Sequence, residues 1–498
     1  MALSYSDGIA SPDRDAIASI DCFTTFVLCP VVKLLIPLNL AALMGGAIAV
    51  LFTCSSLRHA LFQSTPLDLA LFDQLVYLVS QGLSPISSFL GFHLLGDHAA
   101  IILYPIALLC KLVPSVYWLF FVQAIALAAG VVPIYALSVQ AGLSTKYARA
   151  LAVCYLLYPA LFNINFYTDY RPEAIAVPAL LWACWAGTAK RTWQLAVAVC
   201  LVLSCKDTLS FTVIALGVWL WISESRRVYG LACIGVGLVW LGATIGYLVP
   251  MLRQGQPGGV VFYASMGGST QEIIGHLITA PGDILGRIVS PDRGFYYLLL
   301  VLPVVTGLHW RQALAAIPAV PMLVLNVLSD FEPQRDLIHH YSLPIFPFIF
   351  LWLVRSLQHY QHQGNWKWLT PRWLIVGSCI AFLILAKYSY FWTRYLSRVS
   401  YLDAAIEAVS RVPDQASVLA SNPFCSHLSH RSHINSIDNP LTQAQLKTYD
   451  YVLLDRPTAP GVIQQYLQIQ NSDRFKLVYG RAGVTAFALK KEDPNHVP

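Results

Sequence analysis

Charge is scarce in this chain. Of 498 residues only 12% are Asp, Glu, Lys or Arg, against 56% hydrophobic, and the mean hydropathy is +0.58. Soluble domains carry about 25% charged residues, so too little charge is present to cover a water-soluble core of this size. Lipid is the remaining solvent. Metal-type cysteine spacing is also lacking. The 11 cysteines lie mostly inside apolar runs, as Cys154, Cys184 and Cys200 do, and read as small buried hydrophobes. No internal repeat or low-complexity tract stands out. The first residues carry Asp7, Asp13, Asp15 and Asp21 and no basic n-region, so a cleavable signal peptide is not expected. The net charge of +6 would suggest nucleic acid in a soluble protein. Here the basic residues sit in short loops between apolar runs, and no nucleic-acid partner is expected.

What the chain has is long apolar runs. Residues 34–53, 115–139 and 229–251 are free of charge, each about the length of a bilayer crossing. Further runs cover 151–162, 174–189, 193–204, 208–222, 295–308, 313–328, 341–354 and 373–388. A short run, 99–110, follows the polar Gly96-Asp97-His98. If it does not cross, Lys146, Arg149, Lys190, Arg191, Arg226, Arg227, Arg311, Arg355, Lys367 and Arg372 all fall on one side, with Glu224 the only acid among them. That is the positive-inside pattern.

The expected fold is therefore an all-α polytopic transmembrane bundle of about eleven spans with a small C-terminal α/β domain. Residues 1–32 form an N-terminal cytoplasmic segment and 33–394 the transmembrane domain. The first outer loop, 55–114, holds juxtamembrane helices. The tail, 395–498, turns soluble and lies outside. Within it 417–421, 451–455 and 475–490 read as strands, 403–412 and 460–470 as helices. A multi-pass protein of the bacterial plasma (inner) membrane is expected.

This topology gathers the polar residues on the outer face. Thr65-Pro66 followed by Asp68 reads as a helix start with a capping box, or Asp68 is a general base or metal ligand beside the bilayer interface. Asp73 follows in the same loop, then His93, Asp97 and His98. In the next loop Asp169 either pairs with Arg171 or joins Glu173 in a polar cavity facing Asp68. Lys206-Asp207-Thr208 interrupts an apolar hairpin. Asp207 is a candidate helix cap, and Lys206, lacking another local partner, a candidate phosphate ligand. Arg335 and His340 are either solvated or set to meet an anionic group. The spans hold almost nothing ionisable, and few polar residues beyond Gln123, which argues against an ion-coupled transporter.

Several segments resemble a bacterial and archaeal family of membrane proteins of unknown function, domain of unknown function 2079. Leu67-Asp68-Leu69-Ala70-Leu71-Phe72-Asp73-Gln74 is similar to its Asp-Leu-Gly-hydrophobic-Phe-x-Gln start. His98 with Tyr104-Pro105, Thr168-Asp169-Tyr170-Arg171-Pro172-Glu173, Cys205-Lys206-Asp207-Thr208 and His340-Tyr341 with Pro344 to Pro347 resemble four further elements. So do 416–421 through 427–431 in the tail. Two positions depart from the pattern. Arg171 stands where the family has His, which counts against metal ligation there, and Lys206-Asp207 lacks the intervening Glu.

That family in turn resembles the GT-C glycosyltransferases. The resemblance implies an integral membrane enzyme that transfers a sugar from a lipid-linked donor, typically a polyprenyl phosphate, to an unknown acceptor on the extracytoplasmic face. It implies Asp68 as the base for the acceptor hydroxyl. Lys206 or an outer Arg would stabilise the leaving phosphate, with Asp73, His98, Asp169, Arg171, Glu173 and Asp207 in support. It leaves room for a divalent metal and names none. Two other classes compete with it: a transporter or lipid flippase, and a non-catalytic membrane scaffold.

Overall fold

The computed structural model describes residues 37–253, 255, 258–364, 369–438, 448–455, 467–469, 471 and 474–490. The expected segment 1–32, Lys367 and most of the expected helix 460–470 lie outside the described residues. The chain divides into Met1–Leu43 and Met44–Pro498. The larger unit holds nearly all of the helical bundle together with the C-terminal sheet.

Helix stands at each of the apolar runs. Leu38–Ala60, Tyr117–Gln140, Thr145–Phe166, Arg227–Arg253 and Trp310–Leu328 are each long and apolar enough to cross a membrane. Two bent pairs raise the number to seven if each is one span: Pro281–Ile288 with Pro291–Gly307, and Pro371–Leu385 with Lys387–Ser410. Prolines explain the first bend. Pro291 opens the second helix of that pair, and its later part from Leu302 tightens to 3-10 geometry around Pro303. Glu173–Thr188, Thr192–Cys205 and Leu209–Ile222 are shorter, and at 1.5 Å per residue reach only about 21–24 Å. The run 99–110 becomes Leu103–Leu112, ten residues long, or about 15 Å, half of a hydrocarbon core.

The bundle has two chemically different ends. At one, the basic loops are tied together by hydrogen bonds. Arg355 pairs with Glu224 at 2.6 Å, and Arg226 donates to the Thr188 carbonyl at 3.1 Å. Tyr147 donates to the Leu369 carbonyl at 2.9 Å, and the Trp352 indole to that of His309 at 2.8 Å. Each helix leaving this end delivers a polar residue to the other. Thr192–Cys205 leads to Lys206, Thr145–Phe166 leads to Asp169, and Glu173–Thr188 runs back from Glu173.

Small residues let two neighbouring helices touch. A Cβ on Gly217 would lie 2.5 Å from the Gly230 carbonyl oxygen, and one on Gly230 would lie 2.6 Å from that of Gly217. Leu209–Ile222 and the helix from Arg227 thus meet backbone to backbone. Without a hydrophobic force between spans in lipid, such close approach supplies the packing energy.

The tail forms a five-stranded sheet, β1 (Val418–Ala420), β2 (Ile434–Ser436), β3 (Tyr451–Leu454), β4 (Phe475–Arg481) and β5 (Val484–Leu489), in the order β2-β1-β3-β5-β4. β1 runs parallel to β2 and β3, while β5 is antiparallel to β3 and β4. β4 and β5 join through Ala482 and Gly483, both at positive φ (52° and 86°), the two-residue turn that suits a twisted hairpin. Helix Leu402–Ser410 covers β5.

Candidate functional site

Between the polar end of the bundle and the sheet lies a cavity of about 600 Å³. On the bundle side it is lined by Thr65, Asp68, His98, Arg171, Lys206 and His340, on the sheet side by Asn422, Ser436 and Asp438. Phe89, Leu90, Phe262 and Phe331 add apolar surface.

Asp68 owes its place to an irregular start. The chain leaves extended Thr65, turns at Pro66 and winds Pro66–Ala70 as a π-helix before the α-helix Leu71–Ser80. Single π turns recur at functional sites because they re-aim one side chain. The capping-box alternative is not what forms. The Thr65 hydroxyl donates to Asp68 Oδ2 at 2.9 Å, and the Thr65 N–H goes to Asp169 Oδ2, also at 2.9 Å. The other oxygen of Asp68 pairs with the Arg171 guanidinium. Arg171 therefore turns to Asp68 and not to its sequence neighbour Asp169.

Asp169 lies behind this surface, 3% exposed, with Arg58 at 2.5 Å from its second oxygen. Glu173, equally buried, holds Lys206 at 2.6 Å, and His340 Nε2 is 3.8 Å from the same carboxylate oxygen. Burial works against the Lys206 ammonium, but the Glu173 carboxylate outweighs it and raises the lysine above its ordinary value. His340 is driven the other way. Burial, then the Arg171 charge, lowers it well below the usual histidine range, so its ring is neutral at pH 7.

The remaining candidates stand apart from the cavity. Asp207 accepts from the Thr208 N–H at 2.7 Å, and its own N–H donates to the His98 carbonyl at 2.9 Å. Burial raises its carboxyl despite the charges of His98 and Lys206. Arg335 donates to the Ser329 carbonyl at 2.5 Å and lies 3.8 Å from Asp292. Asp73 faces the tail. Ser429 donates to its Oδ2 at 2.5 Å, and His430 Nε2 is 3.1 Å away. More bonds fasten the tail to the first loop: Ser426 Oγ to the Thr65 carbonyl at 3.2 Å, Gln74 Nε2 to the Arg431 carbonyl at 3.1 Å, and Ser88 Oγ to that of Ile434 at 2.6 Å.

Two supporting residues were not singled out for the site by sequence reasoning. Arg58 neutralises Asp169 from a distant part of the chain. Gln123, fully buried within Tyr117–Ala129, accepts from the Arg171 N–H at 2.8 Å and donates to Asn165 Oδ1 and the Asp169 carbonyl at 3.2 and 3.3 Å. It clamps the loop that presents Arg171. Its signal was a lone amide in an apolar run, where an unsatisfied polar group is costly.

A divalent ion does not fit the donors around Asp68. One carboxylate oxygen already meets a guanidinium and the other a hydroxyl. Among the described residues no three His, Cys, Asp or Glu side chains gather as a metal site would need.

Among solved structures, the chain is similar to ArnT from Cupriavidus metallidurans bound to undecaprenyl phosphate. The TM-score is 0.49 and the identity 11%, over 91% of this chain and 98% of that one. It is also similar to the oligosaccharyltransferase AglB from Archaeoglobus fulgidus in complex with an inhibitory peptide and a dolichol-phosphate. There the TM-score is 0.37 and the identity 10%, over 91% of this chain and 75% of that one. At these values the likenesses assign neither a substrate nor a residue role to this chain. No curated protein matches it by sequence. A family model does, over residues 58–485, and with most of its length so matched the chain belongs to the family described as predicted membrane protein (DUF2079).

Proposed function

We propose that this protein is a membrane glycosyltransferase. In this reading it moves a sugar from a polyprenyl-phosphate-linked donor to a hydroxyl acceptor at the extracytoplasmic face, with about eleven spans, 1–32 inside and 395–498 outside. One observation carries the reading: a carboxylate, a guanidinium and an ammonium, from three separate connections, line one cavity at the polar end of an apolar bundle.

The chemistry follows from that set. The acceptor oxygen attacks the anomeric carbon of the donor, and the bond from that carbon to the phosphate oxygen breaks. Asp68 takes the acceptor proton, and polyprenyl phosphate leaves with the bonding electron pair. Fixed cations aimed at a developing anion lower the barrier to such a departure. Arg171 and Lys206 are the cations on the cavity wall, each held by a carboxylate. A donor phosphate competes with Asp68 for Arg171. Donor binding then frees the Asp68 carboxylate to act as a base, because the neighbouring guanidinium otherwise occupies one of its oxygens and stabilises the carboxylate against taking up a proton.

Membranes carrying wild type or Asp68→Asn, supplied with labelled polyprenyl-phosphate sugars, test the reading. Transfer by wild type and its loss in a normally folded Asp68→Asn protein are expected. Equal transfer by both removes Asp68 from the chemistry. Absence of transfer in both leaves the transporter and scaffold readings standing.

A further inference from the structure

The sheet side of the cavity has a chemistry unlike the bundle side. We infer that Asn422, Ser436 and Asp438, at the carboxyl ends of β1 and β2, form a second subsite that binds an uncharged, hydroxyl-rich group such as a sugar ring. The further identification of that group as the acceptor rests on the transferase reading; the subsite itself does not.

Topology puts these residues there. β1 is followed by β2 on one side, and the chain then crosses to β3 on the other. In open parallel sheets, the crevice outside the carboxyl ends at such a reversal is where ligands bind. Asn422 follows the end of β1, Ser436 ends β2, and Asp438 comes two residues later; all three line the cavity. The ends of β1 and β3 are also joined, by the Asp455 N–H donating to Ser421 Oγ at 3.0 Å.

The three side chains are prearranged. Ser436 Oγ donates to Asn422 Oδ1 at 2.6 Å and accepts from the Asp438 N–H at 3.1 Å. This orients the Asn422 amide and leaves its N–H groups undirected toward any partner among the described residues. The Asp438 carboxylate likewise has no hydrogen-bond or ion-pair partner among them. A carboxylate accepts from hydroxyls, and an amide donates to them. Among the described residues no Lys or Arg lines the cavity from the sheet side, so a phosphate there would meet Asp438 without compensation from them. The bundle side carries Arg171 and Lys206, the Lys and Arg that line the cavity among the described residues. The cavity is thus polarised, with anion-compatible groups on one wall and hydroxyl-compatible groups on the other.

Saturation-transfer NMR on the full-length protein in phosphatidylethanolamine/phosphatidylglycerol nanodiscs tests this, with methyl glucoside, glucosamine and glucose 6-phosphate as probes. Methyl glucoside is expected to bind, and Asp438→Asn and Asn422→Ala to weaken it by about 10-fold each, the loss of one hydrogen bond to a charged or oriented group. Asp438→Asn sits on an exposed rim and keeps the Ser436 bond, so its melting temperature should match wild type and separate lost recognition from lost fold. No binding of methyl glucoside, tighter binding of either charged sugar, or insensitivity to Asp438→Asn would overturn the subsite. Binding that is sensitive to Asp438→Asn in a protein without transferase activity would overturn the transferase reading alone. Transfer lost in Asp68→Asn, with binding indifferent to Asp438→Asn, would overturn the subsite alone.

Discussion

Lys206 Nζ and Glu173 Oε1 are 2.6 Å apart, and the two side chains are 12% and 4% exposed. Removing one partner of such a pair leaves the other charged and buried, which costs about 3–5 kcal/mol. Lys206→Met should therefore lower stability by that order, and Lys206→Met with Glu173→Gln should recover most of the loss. Unfolding in detergent followed by intrinsic fluorescence measures both. A double mutant no more stable than the single would show that the ammonium is held by something other than Glu173.

Thr65 is a separate test of how Asp68 is held. Its hydroxyl is the donor to Asp68 Oδ2. Thr65→Val keeps the shape and removes that donor, with an expected cost of about 1–3 kcal/mol. Transfer should fall by about 10-fold or more while donor binding changes little, and Thr65→Ser should restore most of the rate. Loss in the serine variant equal to that in the valine would place the methyl group, not the hydroxyl, in control.

Arg171→Lys asks whether the cation must be planar. A lysine keeps the charge but not the fork that meets a carboxylate or phosphate with two donors. Transfer is expected to drop with kcat, and the apparent affinity for the polyprenyl-phosphate donor to weaken. Steady-state kinetics over a range of donor concentrations separates the two. Unchanged kinetics would leave Arg171 as a general positive charge.

His430 supplies a pH dependence. Burial lowers its affinity for a proton, yet the Asp73 charge outweighs this against the opposing charge of Arg431, and its pKa is raised. Tyr77 stacks on the ring at 4.8 Å. A group whose pKa is raised on folding contributes stability that is fully present below its unfolded value, about 6.5. That contribution disappears as pH rises through the folded pKa. The stability difference between wild type and His430→Gln should therefore be larger at pH 5.5 than at pH 9. Comparing the two proteins at each pH cancels the opposite contribution of buried His340, which is lost as pH falls. A pH-independent difference would dismiss the Asp73–His430 pair.

Gly217 should not tolerate even alanine. The added Cβ meets a backbone oxygen, which has no rotamer to yield, and overpacking of this kind costs about 1–3 kcal/mol. Gly235, with open space around its would-be Cβ, is the control. Thermal unfolding in detergent distinguishes them.

Much of this was legible because it depends on one dimension of pattern. Apolar runs gave the helices, and the side on which Lys and Arg recur separated the two ends. Alternation gave β1, β3 and strand over 475–490, which the structure divides into β4 and β5 at the turn of Ala482 and Gly483. β2 was not foreseen: it is three residues long, and Ile434-Asn435-Ser436 follows a run of His, Arg and Ser that reads as loop. The site itself was half legible. Asp68, His98, Arg171, Lys206 and His340 do share a cavity, but their partners were not readable. Arg171 chose Asp68 over Asp169 because the Asp169 carboxylate is held by Arg58 and Thr65, at distances along the chain that no local spacing reveals. Asp73 and Arg335 carry the same charges as their neighbours and differ only in where the backbone aims them.

Ser426 and Thr65, joined by a single hydrogen bond, are 361 positions apart. The residue that grips the Asp68 carboxylate is therefore itself gripped by a segment made far later. During synthesis the first loop emerges with its aspartate long before residue 426 exists. Closing so long a loop carries an entropic cost that grows only slowly with length, so the finished chain bears it easily. The unfinished chain has no partner to close with. Assembly order thus keeps the aspartate incompletely held until the tail has folded, and a chain stopped before residue 426 would insert its helices without completing the site they were built to hold.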